Sequence, residues 1–390
     1  MKSEISLALS KELLADSVTP PADLGLRAGT DALHPLYRSQ VVTSFATWNV
    51  LDLCDHKEVR VAAIKALEEY GAGSMAGRFV GGLSTIHSAC EARIAGFFGA
   101  ESALLFSTKN QAILTLITAL SSEGLVVIGP ALSPLPLADA CALVEVDYAE
   151  FEGTEGLRST LERYRTAKRV IVVAETLAAT TGKRAELLQL LSLAEQFGAW
   201  VVLDESAAVA HSGLRGAGSA EEVPSSPALL ARVCSCGALI GVEMSAIAGP
   251  SELRELLVQR SRYVRVEPPP AAAVVAATTR AIDIVELSIT HRDRLLVRSK
   301  MVQSAIRAQG WSVVSEDDVP IVGLWCDTLG QARELQEGLL QRGLVTEALA
   351  ARGIRKNGAV VRAVLSTGHT DLEIARLLDS LLEIRKRSGA

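Results

Sequence analysis

The run Ala199-Trp200-Val201-Val202-Leu203-Asp204-Glu205-Ser206 sets the frame for everything around it. It is a β-branched apolar stretch, preceded by a helical pattern and closed by two carboxylates. A short run of that kind reads as a parallel strand buried on both faces. Open α/β sheets bind ligands beyond the carboxyl ends of their strands. The run therefore predicts a ligand-binding edge with Asp204 on it. After a loop from His211 to Ser226 comes Arg232-Val233-Cys234-Ser235-Cys236-Gly237-Ala238-Leu239-Ile240-Gly241. This second strand brings only small side chains to a place where a reactive one would be useful.

The alternation extends in both directions. Strands are expected at Ala103–Ser107, Leu125–Ile128, Val144–Asp147, Val170–Ala174, Trp200–Asp204, Val233–Leu239 and Met244–Ala248. The helices expected are His56–Tyr70, Ile86–Phe98, Gln111–Leu120, Leu135–Cys141, Glu155–Tyr164 and Ala185–Phe197. Strands alternating with helices imply an α/β fold, a mostly parallel, doubly wound sheet. Residues 1–47 read as an N-terminal arm with one helix at Glu4–Leu14, and Trp48–Leu53 as a short strand opening a large domain, 48–270. Ala271–Ala308 contains no Pro or Gly and reads as one long bridging helix (271–310). The remainder, 311–390, carries strands at Trp311–Val314, Ile321–Cys326, Val345–Ala348 and Val360–Leu365. With helices Gln331–Leu340 and Leu372–Arg385 it makes a smaller α+β domain.

Composition narrows the function. At 390 residues with 49% apolar content the chain can bury a full core. A net charge of −6, with Lys and Arg scattered, provides no basic footprint for nucleic acid. No uninterrupted apolar run reaches the ~18 residues of a membrane helix, and Met1-Lys2-Ser3-Glu4 opens no signal-peptide pattern; a soluble, cytoplasmic chain is expected. The six cysteines lie mostly inside apolar runs, as reduced core residues do, and no Cys or His pairs have metal-ligand spacing. Between Gly71 and Gly82 five glycines fall in twelve residues, a loop whose backbone can approach a ligand or another chain closely. It has neither the P-loop spacing nor the leading strand of a dinucleotide fingerprint.

The order of elements, with this loop and the Asp-ended strand, resembles the α-oxoamine synthases of the fold-type-I pyridoxal-phosphate (PLP) enzymes. That family includes 8-amino-7-oxononanoate synthase and serine palmitoyltransferase. The resemblance runs from about Trp48 to Leu382. It rests on Gly71-Ala72-Gly73-Ser74 through Arg78 to His87, Ala103-Leu104-Leu105-Phe106-Ser107, Leu203-Asp204-Glu205-Ser206, Gly241, Ala248-Gly249 and Leu365-Ser366-Thr367-Gly368-His369-Thr370. It implies a Lys that forms a Schiff base with the coenzyme, a ring stacked on the pyridine and an Asp on the pyridinium nitrogen. Phosphate donors are implied at a helix N-terminus.

Carried across residue by residue, most of that set is missing. The Schiff-base lysine falls on Ala238, and no lysine lies between Lys183 and Lys300. The stacking His falls on Pro134, and the His two places after the Glu falls on Ala207. The phosphate turn falls on Thr108-Lys109-Asn110, and the Ser-Thr pair reaching across a dimer on Glu267-Pro268. The carboxylate-binding Arg falls near Ala350, with Arg352 close by. Asp204 alone of the main set survives. Without the lysine there is no covalent anchor and no positioned base.

The chain thus resembles the lysine-free, non-catalytic subunit of serine palmitoyltransferase. The resemblance implies a pseudoenzyme, no covalently held coenzyme although the fold implies PLP, and a dimer, formed with a lysine-bearing paralogue. Asn49, Gly73, Ser74 and Arg78 are the candidate contacts to that partner or its substrate. Arg78 reads equally as half of a structural ion pair, Asn49 as a turn hydrogen bond, and Asp204 as a bonder of backbone N–H groups. Vestigial coenzyme contacts would be Asp204, Thr108, Lys109 and Asn110, with Lys109 adding charge for an anion. His211 is a weaker substitute for a lost ring; His34, His56 and His291 read as surface residues. Two alternatives stay open: an enzyme of altered chemistry holding its ligand non-covalently, and a homodimeric scaffold.

Overall fold

The computed structural model describes residues 29, 31–131, 133, 135–350 and 358–387. The large sheet has seven strands: β1 (Ser102–Phe106), β2 (Leu125–Pro130), β3 (Asp147–Phe151), β4 (Arg169–Glu175), β5 (Trp200–Asp204), β6 (Leu229–Ser235) and β7 (Ser245–Gly249). Their order is β1-β7-β6-β5-β4-β2-β3, parallel throughout except for β7, which runs antiparallel to both its neighbours. Successive side chains of a strand point to opposite faces, and both faces here are covered. In β4, Ile171 and Val173 join one core with the helix Lys109–Leu120, whereas Val172 and Ala174 join another with the helix Leu187–Gln196. That double burial is why these strands are continuous β-branched runs rather than alternating ones.

The C-terminal part has a three-stranded antiparallel sheet, in the order Ile321–Cys326, Ala359–Val364, Glu347–Ala350. The helices Leu329–Leu340 and Asp371–Arg387 pack with it. A parallel pair joins Thr43–Ser44 to Leu344–Val345, so the arm around Thr43 lies against this part of the fold. The ring of Phe45 stacks on His369 at 4.2 Å.

Several expected elements differ. Trp48–Leu53 is a series of turns rather than a strand, because Asn49 organises it: its side-chain oxygen accepts from Cys54 N at 3.1 Å and its amide donates to Asp52 at 3.0 Å. The strand expected at Val144–Asp147 lies instead at Asp147–Phe151, at the sheet's edge, with Asp147 and Glu150 exposed and Ala149 buried. Residues 236–239 leave β6 and wind into the single turn Gly237–Ile240. Trp311–Val314 makes only one bridge, Val313 to Leu324. In the helix Lys57–Tyr70, Val59 and Ala66 are buried, whereas Ile64 and Leu67 are about half exposed.

The long bridge is two helices, Ala272–Leu287 and Ile289–Ala308, parted at Ser288. No Pro or Gly marks the break. It is held by buried Arg292, whose guanidinium donates to the Val285 carbonyl of the first helix and to the Leu214 carbonyl. A cation on the free carbonyls of a helix end satisfies acceptors that would otherwise be orphaned. The helix expected at Glu4–Leu14 lies outside the described residues. Among the described residues no helix is long and apolar enough to cross a membrane, no cluster of His, Cys, Asp and Glu could hold a metal, and all six cysteines are free.

Candidate functional site

The sheet brings three strand ends together at its carboxyl edge. Glu175, the last residue of β4, pairs in register with Asp204, the last of β5; Asp204 pairs with Val233 of β6, which ends two residues on at Ser235. The helix Lys109–Leu120 begins at the same edge, three residues after the last residue of β1. Over these ends lies a cavity of about 420 Å³. Trp48, Lys109, Ala179, Ser206 and Ala207 line it from one side, with Ser235, Gly237, Gly241, Thr47 and Arg362.

Asp204 is buried, 3% exposed, and both of its oxygens accept hydrogen bonds. One carboxylate oxygen accepts from the Lys109 ammonium at 2.9 Å, the other from Ser206 N at 2.9 Å and Ser206 Oγ at 2.5 Å. Ser206 Oγ in turn accepts from Ser235 N at 2.8 Å, which locks that hydroxyl's direction. Burial alone would lower the Lys109 pKa, but the Asp204 charge outweighs it and the ammonium is held above its ordinary value. Glu175 has the opposite fate. Burial and the neighbouring Asp204 charge push its carboxyl up to about 7, against a weaker pull from Lys109. Opposite charge favours the ionised form and like charge disfavours it, so one ammonium between two carboxylates favours one of them.

Thr108 caps the helix that carries Lys109: its hydroxyl accepts from Gln111 N at 3.1 Å, and the Gln111 side chain accepts from Ser107 N at 3.0 Å. Of the N–H groups in the helix's first turn, that of Gln111 is therefore satisfied within the chain. Thr108 and Asn110 are exposed and lie outside the cavity lining.

Position 238 lies in the turn Gly237–Ile240, between the cavity-lining Gly237 and Gly241. Gly241 has φ 68°, and a Cβ there would also meet Cys54 Sγ at 3.1 Å. Pro134 and Arg352 lie outside the described residues. His211 does not substitute for a lost ring: it is buried away from the cavity, with Nε2 2.8 Å from the Ala207 carbonyl oxygen, and burial pushes its pKa down to about 4. His34 is not a bare surface residue either, since its ring bridges Asp31 and Glu373.

The four partner-contact candidates are separate from the cavity. Arg78 is buried and pairs with Glu91 at 2.5 Å, and Glu91 also pairs with Arg254 at 2.9 Å. Asn49 is fully buried in its turn. Ser74 Oγ donates to the Pro270 carbonyl at 3.0 Å, and Gly73 has open space where a Cβ would stand.

Sequence reasoning missed Arg362. It lies in the middle of the strand Ala359–Val364, enters the cavity lining, stacks over Trp48 at 4.8 Å and donates to the Ala179 carbonyl at 2.8 Å and to Glu347. Its Nε is buried without a hydrogen-bond partner. A single charged residue inside the run Ala359-Val360-Val361-Arg362-Ala363-Val364 was the available signal, because such a residue must find a polar site or stay costly. Glu175 was equally visible, as the acid closing Val170-Ile171-Val172-Val173-Ala174.

A sequence model described as "Aminotransferase class I and II" matches residues 44–381. An 8-amino-7-oxononanoate synthase of Geobacter sulfurreducens is 26% identical over 366 residues, which cover 93% of this chain and 93% of that protein. A serine palmitoyltransferase of Sphingomonas wittichii superposes with a TM-score of 0.89 at 23% identity, covering 99% of this chain and 98% of that one. The same TM-score, identity and coverage hold for a lysine-to-alanine variant of serine palmitoyltransferase from S. paucimobilis with bound PLP-myriocin aldimine. The fold is thus that of the fold-type-I PLP transferases, as expected from the order of elements.

Proposed function

Because the chain belongs to the aminotransferase class I and II family, we propose that it is a catalytically impaired subunit of the α-oxoamine synthase kind. It pairs with a lysine-bearing relative, a PLP-dependent acyl-CoA:amino acid C-acyltransferase such as serine palmitoyltransferase, and supports it. The observation that carries this reading is the absence, among the described residues, of an available amine. Ala238 stands where the Schiff-base lysine is expected, and the one lysine among the described residues of the cavity lining, Lys109, is bound to Asp204. A residue that forms the covalent intermediate and moves the proton has no partial substitute, and its loss removes most of the rate. The loss of a lysine does not by itself empty a coenzyme site, since the S. paucimobilis variant holds a PLP adduct. This chain combines the missing lysine with an Asp204 carboxylate already paired to an ammonium.

The decisive experiment expresses the chain alone and together with a lysine-bearing homologue from the same genome. Each preparation is then assayed for decarboxylative condensation of amino acids with acyl-CoA. The expected result is no turnover by the chain alone, a stable complex, and activity or stability of the partner that rises with it. Turnover by the isolated chain would refute the reading.

The open cavity favours a second possibility. The Arg362 guanidinium in the lining and about 420 Å³ of space suit a small carboxylate held without a covalent bond. Calorimetric titration of the isolated chain with amino acids and with acyl-CoA tests it. Saturable binding lost in Arg362→Met would establish this reading, and no heat at millimolar ligand would dismiss it.

A further inference from the structure

A PLP ring needs a carboxylate free to accept its protonated nitrogen, and its phosphate needs unsatisfied N–H donors. The residues present do not fit the first demand: both Asp204 oxygens already accept within the chain, one of them from an ammonium. We propose that Lys109 is a built-in replacement for the coenzyme's pyridinium: its ammonium takes the place of the ring nitrogen on Asp204, so the chain is electrostatically complete, and closed to PLP, without any coenzyme. This goes beyond the pairing function and holds whether or not a partner exists.

The first argument is occupancy. An ionised carboxylate offers about four lone-pair positions. Three on Asp204 are taken, two by Ser206 and one by Lys109, at 2.5–2.9 Å. Ser206 cannot turn away, because its hydroxyl is also held by Ser235 N. The second argument is charge. A pyridinium brought to Asp204 would stand beside an ammonium already 2.9 Å from the same carboxylate, in a buried setting where like charges repel strongly. Ring binding therefore requires Lys109 to withdraw or lose its proton, and Asp204 holds it protonated.

The third argument is position. Lys109 follows β1 and Asp204 ends β5, with β7 and β6 between them in the sheet. The lysine side chain consequently runs along the carboxyl edge, over the ends of the intervening strands and through the cavity lining. That space is where a ring bonded to Asp204 would lie. Nor can Lys109 serve as a relocated Schiff-base amine. The aldehyde carbon of PLP is para to the ring nitrogen, so an amine bonded to the nitrogen's carboxylate partner stands at the wrong end of the ring.

The test measures PLP binding by equilibrium dialysis and melting temperature with and without PLP. It compares the unaltered chain with Lys109→Met, Ala238→Lys and the double variant. The expected pattern is negligible PLP retention and no change in melting temperature for the unaltered chain. Lys109→Met should bind PLP at least tenfold more tightly and be stabilised by it, because the coenzyme then returns a cation to a bare Asp204. Ala238→Lys should form little visible aldimine alone and much more in the double variant. If Lys109→Met does not fold, the Ala238→Lys chain still decides, since a full aldimine formed with Lys109 present overturns the proposal. Equal PLP affinity of the unaltered chain and Lys109→Met overturns it as well. So does borohydride reduction that fixes PLP to Lys109.

Discussion

Replacing Glu175 by glutamine removes a carboxyl that the fold holds protonated far beyond its ordinary range. In the unfolded chain the group ionises near its ordinary value of 4.5, whereas in the fold burial and Asp204 raise it to about 7. Between those values the folded state binds more protons than the unfolded state, so stability falls as pH rises through the window and levels off above it. The interval corresponds to about 3 kcal/mol at about 1.4 kcal/mol per pH unit, and partial exposure of the side chain lowers that to about 2–3 kcal/mol. Glutamine has the same shape and no such titration. The difference in stability between Glu175→Gln and the unaltered chain should therefore be near zero at about pH 4 and reach about 2–3 kcal/mol in favour of the variant above about pH 8. Urea unfolding followed by circular dichroism across that range measures it. A difference that stays flat with pH, or favours the unaltered chain as pH rises, would show that Glu175 is ionised in the fold and that the account of the Lys109–Asp204 charge balance is mistaken.

Other outcomes follow from the same contacts. Arg232→Met strands the fully buried Glu205 carboxylate, now 2.9 Å from the guanidinium, and should cost about 3–5 kcal/mol, read as a lowered urea midpoint. Gly218→Ala places a Cβ 2.4 Å from a Glu205 oxygen at φ 106° and should destabilise by about 3 kcal/mol, whereas Ala at Gly198, where a Cβ meets nothing, should cost less because only its φ of 63° is strained. Gly73→Arg meets open space within the chain and should leave its melting temperature within a degree or two; a co-purifying partner should be lost if the glycine loop forms the contact.

The parts legible in the sequence share one property: their signal is local. Trp200–Asp204 and Ile321–Cys326 match expectation residue for residue, because a strand covered on both faces must be apolar at every position. The edge strand Asp147–Phe151 carries exposed Asp147 and Glu150, and the apolar residues just before it drew the expected strand several positions too early. The break at Ser288 was invisible because its cause, Arg292 on the Val285 carbonyl, is a tertiary contact. The site divides the same way. Asp204 was visible at a strand end and Lys109 at a helix start, but their bond joins residues 95 apart and no local pattern encodes it. Arg362 escaped because the search for a carboxylate-binding arginine followed the resemblance to positions near Ala350 rather than the oddity of a charge within an apolar strand.

The parallel pairing of Thr43–Ser44 with Leu344–Val345 also has a temporal side. During translation the early strand must wait for about 300 further residues before its mate leaves the ribosome, roughly 15–60 s at ordinary elongation speeds. The backbone of Phe45, which accepts from Val364 N, waits longer still. For that interval the nascent polypeptide exposes an unmatched hydrogen-bonding edge beside Val42 and Phe45, a surface for chaperones to shelter until its mates emerge.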